Sequence, residues 1–227
     1  MLLTAYQRGI FPMAVDRRGI FPMAVDKRGR IGWFSPDPRA VIPIDHRFHV
    51  PHGLKRVLKR CMAQGVREGE PPGEPKPGGL KRGSAGASPS QIKFEITFDT
   101  DFETVIRECA KRKEGTWISK GIIDSYCNLH QLGYAHSVET RLNGKLVGGL
   151  YGVALGGAFF GESMYHRATD ASKVALVALV ERLRERGFVL LDTQWTTPHL
   201  RQFGACEIPR REYLWQLERA VNLECRF

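Results

Sequence analysis

Residues 136–161 read HSVETRLNGKLVGGLYGVALGGAFFG, and this stretch decides the fold. Three runs rich in Val, Leu, Tyr, Phe and Thr, at 136–142, 145–153 and 158–161, are separated by Asn143-Gly144 and Gly156-Gly157. Both dipeptides tolerate the positive φ that a tight hairpin turn requires. The spacing therefore predicts a three-strand antiparallel meander. Toward the N-terminus, 120–132 has helical periodicity and ends at Gly133, a residue suited to a left-handed cap. Before it, 100–113 places Phe102, Val105, Ile106 and Cys109 on one stripe, with Thr100 and Glu103 at capping-box spacing. Residues 93–98 alternate as a strand. Toward the C-terminus, 172–186 is a helix with Val174, Val177, Val180 and Leu183 in phase. Residues 188–192 read as a buried strand ending on a carboxylate, 199–211 as a loop and 212–221 as a last helix. This order is an α+β pattern, a mixed sheet flanked by helices.

The first 90 residues are organised differently. Gln7–Asp16 reads QRGIFPMAVD and Arg17–Asp26 reads RRGIFPMAVD, a tandem duplication of a ten-residue block. Two copies of ten residues are too short and too few for a solenoid. Only one copy is expected to dock. Trp33-Phe34-Ser35-Pro36-Asp37-Pro38-Arg39 is a proline-punctuated turn. Residues 54–62 carry Leu54, Val57, Leu58 and Cys61 at helical spacing with Lys55, Arg56, Lys59 and Arg60 between them, a short basic amphipathic helix. Gly and Pro fill 12 of the 26 positions of 65–90, so that segment has too little apolar surface for a core and is expected to be a disordered insertion. The expected organisation is a basic N-terminal domain over 1–90 and a sheet domain over 91–227.

Composition narrows the function. The chain has 227 residues, 42% of them hydrophobic, enough for a packed core. No run approaches the roughly 18 apolar residues of a membrane span. The N-terminus lacks the basic, then apolar, pattern of a secretory signal. The five cysteines are scattered without a CxxC pair and read as reduced thiols of a cytoplasmic protein. Net charge is +10, and residues 1–90 hold 16 Lys/Arg against 7 Asp/Glu, while 91–227 hold 18 against 17. Excess positive charge confined to one part of the chain fits either a polyanion such as nucleic acid or a solvated basic surface.

Few residues stand out for chemistry. Glu162 follows the apolar run ending at Gly161, and Asp192 ends the apolar run 188–191, with Gln194 two residues on. If the strand continues, Asp192 and Gln194 share a face, and an acid beside an amide can position and deprotonate an amine. The same residues also suit a strand-end Asp capping a turn and a Glu paired to a nearby Arg. Trp33 and Trp117, in Gly-flanked segments, suit either base stacking or plugging the edge of a core. His46, His49 and His52 are three apart, but Pro51 breaks their helical register and no Cys or carboxylate cluster accompanies them, so no metal is expected. There is no Walker loop and no GxGxxG. A loop that holds a pyrophosphate before the 172–186 helix needs glycines; here it reads RATDAS over 167–172, and Asp170 would repel a phosphate.

Seven motifs in order carry a family resemblance: Ala5-Tyr6 followed by Gly-Ile-Phe-Pro-Met; Trp33 to Arg39; Glu114-Gly115-Thr116-Trp117-Ile118; Val147 to Gly152; Phe160-Gly161-Glu162-Ser163-Met164; Ala171-Ser172-Lys173; and Gly204-Ala205-Cys206-Glu207-Ile208-Pro209-Arg210. Together the chain resembles the leucyl/phenylalanyl-tRNA–protein transferases over nearly its whole length. The resemblance implies a C-terminal acetyltransferase-like (GNAT-like) fold without coenzyme A, and transfer of Leu or Phe, less well Met, from aminoacyl-tRNA to proteins that begin with Arg or Lys, marking them for N-end rule degradation. It implies no cofactor and no metal, because the ester is already activated. It puts Trp117 against the 3′-terminal adenosine, with Trp33, Met23 and Ser163 also on the substrate side. Leu150, Phe159, Leu176, Leu179, Leu183 and Leu191 would line the aminoacyl pocket. Glu162, Asp192 and Gln194 would be catalytic: Glu162 and Asp192 holding the acceptor's first residue, Asp192 and Gln194 assisting proton removal. The family often has Trp after Ile-Phe-Pro; here the two copies carry Met13 and Met23. The competing functions are a non-catalytic RNA-binding module and a small-molecule N-acetyltransferase.

Overall fold

A computed structural model describes residues 1–14, 31–61, 67–68, 93–112 and 115–227. The meander expected over 136–161 is its centre: β6 (Ala135–Leu142), β7 (Lys145–Leu155) and β8 (Ala158–His166) pair antiparallel through the two Gly turns. The sheet extends to eight strands in the order β10-β3-β9-β8-β7-β6-β5-β4, with β3 (Arg39–Ile42), β4 (Arg67–Glu68), β5 (Glu95–Phe98), β9 (Leu190–Gln194) and β10 (Cys206–Ile208). It is mixed: β8 and β9 run parallel, as do β4 and β5, and the other neighbours are antiparallel. A separate ribbon pairs β1 (Phe11–Ala14) with β2 (Ile31–Phe34).

Each face of the sheet carries its own core, because residues alternate sides along every strand. On one face α5 (Ala171–Glu185) and α2 (His52–Cys61) cover Leu150, Phe159, Leu191 and Val138. Helix α5 is buried almost all round, as its continuous apolar sequence requires. It lies close on β7: a Cβ on Gly148 would sit 2.5 Å from that of Ala171. On the other face α3 (Phe102–Ala110), α4 (Lys120–Gln131) and α7 (Arg210–Val221) cover Tyr151, Val153, Phe160 and Leu190, joined by Tyr6 of α1 (Leu2–Gln7). No helix among the described residues is long and apolar enough to cross a membrane.

Several local expectations are revised. Helix α3 is entered from Asp101, and the Thr100 hydroxyl donates instead to Glu139 at 3.0 Å, so the capping-box reading of Thr100 and Glu103 fails to a competing tertiary partner. The loop expected over 199–211 contains β10, which pairs with β3, and overlaps α6 (Pro198–Arg201), entered from Thr197, whose side chain accepts from the Leu200 N–H. A three-residue strand whose partner, Arg39–Val41, lies far upstream in the chain leaves no local trace. Strand β8 runs to His166, beyond the expected Gly161. In the duplicated block, β1 comes from the first copy; the second copy lies outside the described residues, as does the insertion over 65–90 apart from Arg67–Glu68. The chain on either side of the boundary expected near residue 90 shares one sheet, since β3 sits between β9 and β10.

Candidate active site

Strands β8 and β9 pair only from Ala158–Leu190 to Phe160–Asp192. Past that point a cleft of about 970 Å³ opens, walled by β8 residues 161–164 and by Leu191, Thr193 and Gln194 of β9. Parallel strands that part at their ends leave a crevice between them, and here both strand ends carry polar groups.

Glu162 enters this cleft because of a bulge. Tyr151 pairs with Ser163 and Gly152 with Gly161, so Glu162 is the extra residue of β8, turned out of the ladder. The Tyr6 hydroxyl donates to it at 2.6 Å, and Tyr6 in turn shares a buried hydroxyl–hydroxyl hydrogen bond with Tyr126 of α4. Burial pushes the Glu162 carboxyl up to about 7; the Tyr6 hydrogen bond opposes this, and the neighbouring Asp192 charge adds to it. Burial and the adjacent Glu162 raise both tyrosines well above their ordinary value, so they remain donors.

Asp192 lies behind the cleft wall and is fully buried. Its Oδ1 accepts from Arg39 Nε at 2.8 Å and from the Gln194 backbone N–H at 2.9 Å; its Oδ2 accepts from Arg39 Nη2 at 2.5 Å and from the Tyr213 hydroxyl at 3.0 Å. Arg39 Nη1 donates to the Gly9 carbonyl at 2.9 Å. Burial opposes the Arg39 charge, but the hydrogen bond and charge of Asp192 outweigh it and raise its pKa. Both carboxylate oxygens of Asp192 are therefore committed within the protein. The expected side-by-side pairing of Asp192 and Gln194 at one amine is replaced by a backbone contact.

The reason is local geometry. Thr193 bulges out of the β3–β9 ladder, and Gln194 has φ +59, a left-handed conformation that costs a non-glycine residue about 1–3 kcal/mol. The Asp192 carboxylate fixes it through the Gln194 N–H. The Gln194 side chain then faces the cleft, and its amide nitrogen, buried, has no hydrogen-bond partner among the described residues. The buried Tyr151 hydroxyl, also at the cleft, has none among them either. Such groups are satisfied by a ligand or by water.

The other expected residues divide. Trp117, Ser163, Leu150, Leu176, Leu179 and Leu191 line the cleft. Ser163 accepts from Arg112 at 2.7 Å. Phe159 and Leu183 do not: Phe159 packs on Phe227 with ring centroids 5.3 Å apart, and Leu183 lies one turn of α5 beyond Leu179, inside the core. Trp33 is out of phase, for in β2 its neighbour Phe34 lines the cleft. Met23 is outside the described residues, and its counterpart Met13 lines the cleft. Sequence reasoning missed Tyr126, Tyr151 and Trp195 and gave Tyr6 and Arg39 no role. Tyr126 looks like any member of the α4 stripe; Trp195, an aromatic just past a strand end, was the one readable signal. Among the described residues no cluster of His, Cys, Asp and Glu is placed to hold a metal ion.

The model of the family described as leucyl/phenylalanyl-tRNA protein transferase matches residues 85–218. A protein of that name from Akkermansia muciniphila is 48% identical over 98% of this chain and 95% of its own length. One from Gloeobacter violaceus is 49% identical over 100% and 95%. Among solved structures, L-PGS from Bacillus licheniformis superposes with a TM-score of 0.42 at 14% identity, covering 87% of this chain and 57% of that one.

Proposed function

The chain belongs to the leucyl/phenylalanyl-tRNA–protein transferase family, a family of aminoacyltransferases, and we propose that it moves Leu or Phe, and less well Met, from aminoacyl-tRNA to proteins beginning with Arg or Lys. The cleft supports this reading from both ends. Its aliphatic wall of Leu150, Leu176, Leu179, Leu191 and Met164 suits an apolar aminoacyl side chain, and Trp117 offers a ring to the terminal base. Glu162 supplies negative charge where a cationic acceptor needs it. The exposed Lys55, Arg56 and Lys59 of α2 supply phosphate contacts for the tRNA body. The reaction belongs to the cytoplasm, and its product enters N-end rule degradation.

The observation that carries the mechanism is the bulged Glu162, a carboxyl near 7 inside the cleft. It accepts a proton from the acceptor's α-ammonium. The freed amine nitrogen attacks the ester carbonyl carbon, and charge develops on the carbonyl oxygen. The unpartnered Gln194 amide N–H donates to that oxygen; a donor of this kind is worth about 10²–10³ in rate. The bond from carbonyl carbon to the ribose 3′ oxygen then breaks as the leaving oxygen takes the proton back from Glu162. The attacking nitrogen gives its second proton to the Glu162 carboxylate so restored, which releases it to water and leaves a neutral amide. Asp192 holds Gln194 in its left-handed turn and is a positioning residue. Holding two reactants in one cleft supplies much of the remaining acceleration. The test is direct: purified protein, leucyl-tRNA and an Arg-starting peptide, read by mass. Gain of one leucine residue at the N-terminus is the expected product. Tight tRNA binding with an unchanged peptide makes the protein an RNA-binding module, and acetylation makes it an N-acetyltransferase.

A further inference from the structure

We propose that Trp195 is a nucleobase-binding residue of the cleft, stacking on the terminal purine of the donor RNA. Thr193, Gln194 and Trp195 are consecutive and all line the cleft. In a regular strand alternate residues face opposite sides, so three in a row requires a break. The bulge at Thr193 and the left-handed Gln194 provide it, and a 2.6 Å hydrogen bond from the Trp195 N–H to the Thr193 carbonyl closes the turn. The device is held from behind by Asp192 and Arg39. One backbone irregularity therefore delivers both the unpartnered amide and a large aromatic ring to the same wall.

The ring is anchored and accessible at once. It meets Phe11 edge-on, with centroids 5.2 Å apart, so its tilt is fixed by the β1 ribbon. It is nevertheless 39% exposed, which leaves surface for a ligand. Phe11 and Met13 lie on the same face of β1 and both line the cleft, but Met13 is 2% exposed and Phe11 equally buried, so of the Phe11–Trp195 ring pair it is Trp195 that a base can reach. The aliphatic wall formed by Leu150, Leu176 and Leu179 suits the aminoacyl side chain, and the aromatic part suits the nucleoside that carries it. An aromatic platform binds a base without needing hydrogen-bond complementarity.

This inference deepens the proposed function and rests on reading the cleft as the donor site. The test compares Trp195→Ala, Trp195→Phe and Trp195→Leu, each first shown to be folded by its melting curve. Leucyl-tRNA and an Arg-starting peptide are varied separately, and inhibition by a CCA trinucleotide is measured alongside. Loss of a stacked base corresponds to about 5- to 150-fold. The donor KM and the trinucleotide inhibition constant should rise by that factor in the Ala and Leu variants. Phe should restore most of it, and acceptor KM should stay within about twofold. Unchanged donor KM overturns the inference. So does a rise confined to acceptor KM, which would make Trp195 a cation–π partner of the acceptor, or a fall in kcat alone, which would make it a support for the Gln194 turn. If the wild-type protein performs no transfer, direct binding of the trinucleotide, followed by titration calorimetry, decides Trp195 by itself: binding lost in Trp195→Leu upholds the nucleobase site, and binding retained removes it.

Discussion

Glu162→Gln isolates the proton acceptor, because Gln keeps the shape of the side chain and still accepts from the Tyr6 hydroxyl. With a carboxyl near 7, the ionised fraction rises about tenfold between pH 6 and pH 8. The acceptor's α-ammonium, ordinarily near 7.7–8.0, titrates just above it. The productive pair is a carboxylate with an ammonium, so kcat/KM for the acceptor should trace a narrow bell between these two values. Glu162→Gln should lose the bell, rise instead with the free amine through about 7.7–8.0 to a plateau, and fall by about 10²–10⁴ at pH 7.5. Stability gives an independent reading of the same group. Its folded value lies above the ordinary value of 4.5, so its contribution is full below about 4.5 and is lost as pH rises through about 7. The melting temperature of wild type relative to Glu162→Gln should therefore fall across that window and level off above it. A variant that keeps the bell-shaped profile, or that transfers within tenfold of wild type, refutes Glu162 as the base.

Gln194→Ala should lower kcat about 10²–10³-fold with little change in donor KM, measured by single-turnover transfer, since the amide acts on the developing oxyanion. Changing Lys55, Arg56 and Lys59 together to Gln should reduce the slope of log K against log salt for tRNA binding by up to about 2.7, because each duplex phosphate contact contributes about 0.9. Gly152→Ala should cost at least about 1–3 kcal/mol, roughly 2–12 °C in Tm, since its Cβ would press on the Phe160 carbonyl and the Phe159 ring. Asp192→Asn should lose about 3–5 kcal/mol by leaving the Arg39 guanidinium buried without its counter-charge, so its lost activity should come with a lowered melting temperature.

The sheet was legible because its signals are local. Asn143-Gly144 and Gly156-Gly157 fix both hairpins, and the helical stripes of α3, α4 and α7 point at one core. The aminoacyl pocket was legible only in part. Periodicity identifies the apolar face of a helix but not where along it a cleft stops. Ser172, Leu176 and Leu179 line the cleft, while Leu183, four residues and about 6 Å further along the same face, is core. Trp33 and Phe34 differ by one step of a period-2 strand, and nothing in four residues of ribbon states which phase faces inward. The bulges at Glu162 and Thr193 have no signature of their own, since each depends on the strand paired beside it.

The charge split also concealed a second role of the N-terminal residues. Their excess of Lys and Arg points outward to a polyanion, yet the same segment builds one wall of the reaction site. Tyr6 donates to Glu162 across 156 residues of sequence. Phe11, Met13 and Phe34 line the cleft, and Arg39 secures Asp192, which secures Gln194. Arg39 is at once one of the charges counted in that excess and a fully buried group with its charge matched inside the protein. A sum over sequence cannot separate these uses, because solvation and pairing are set only when β3 enters the sheet beside β9. Donor binding and catalysis are thus coupled through one short strand: a change that loosens β3 should disturb the Gln194 turn and the cleft wall together, even where every residue touching substrate is intact.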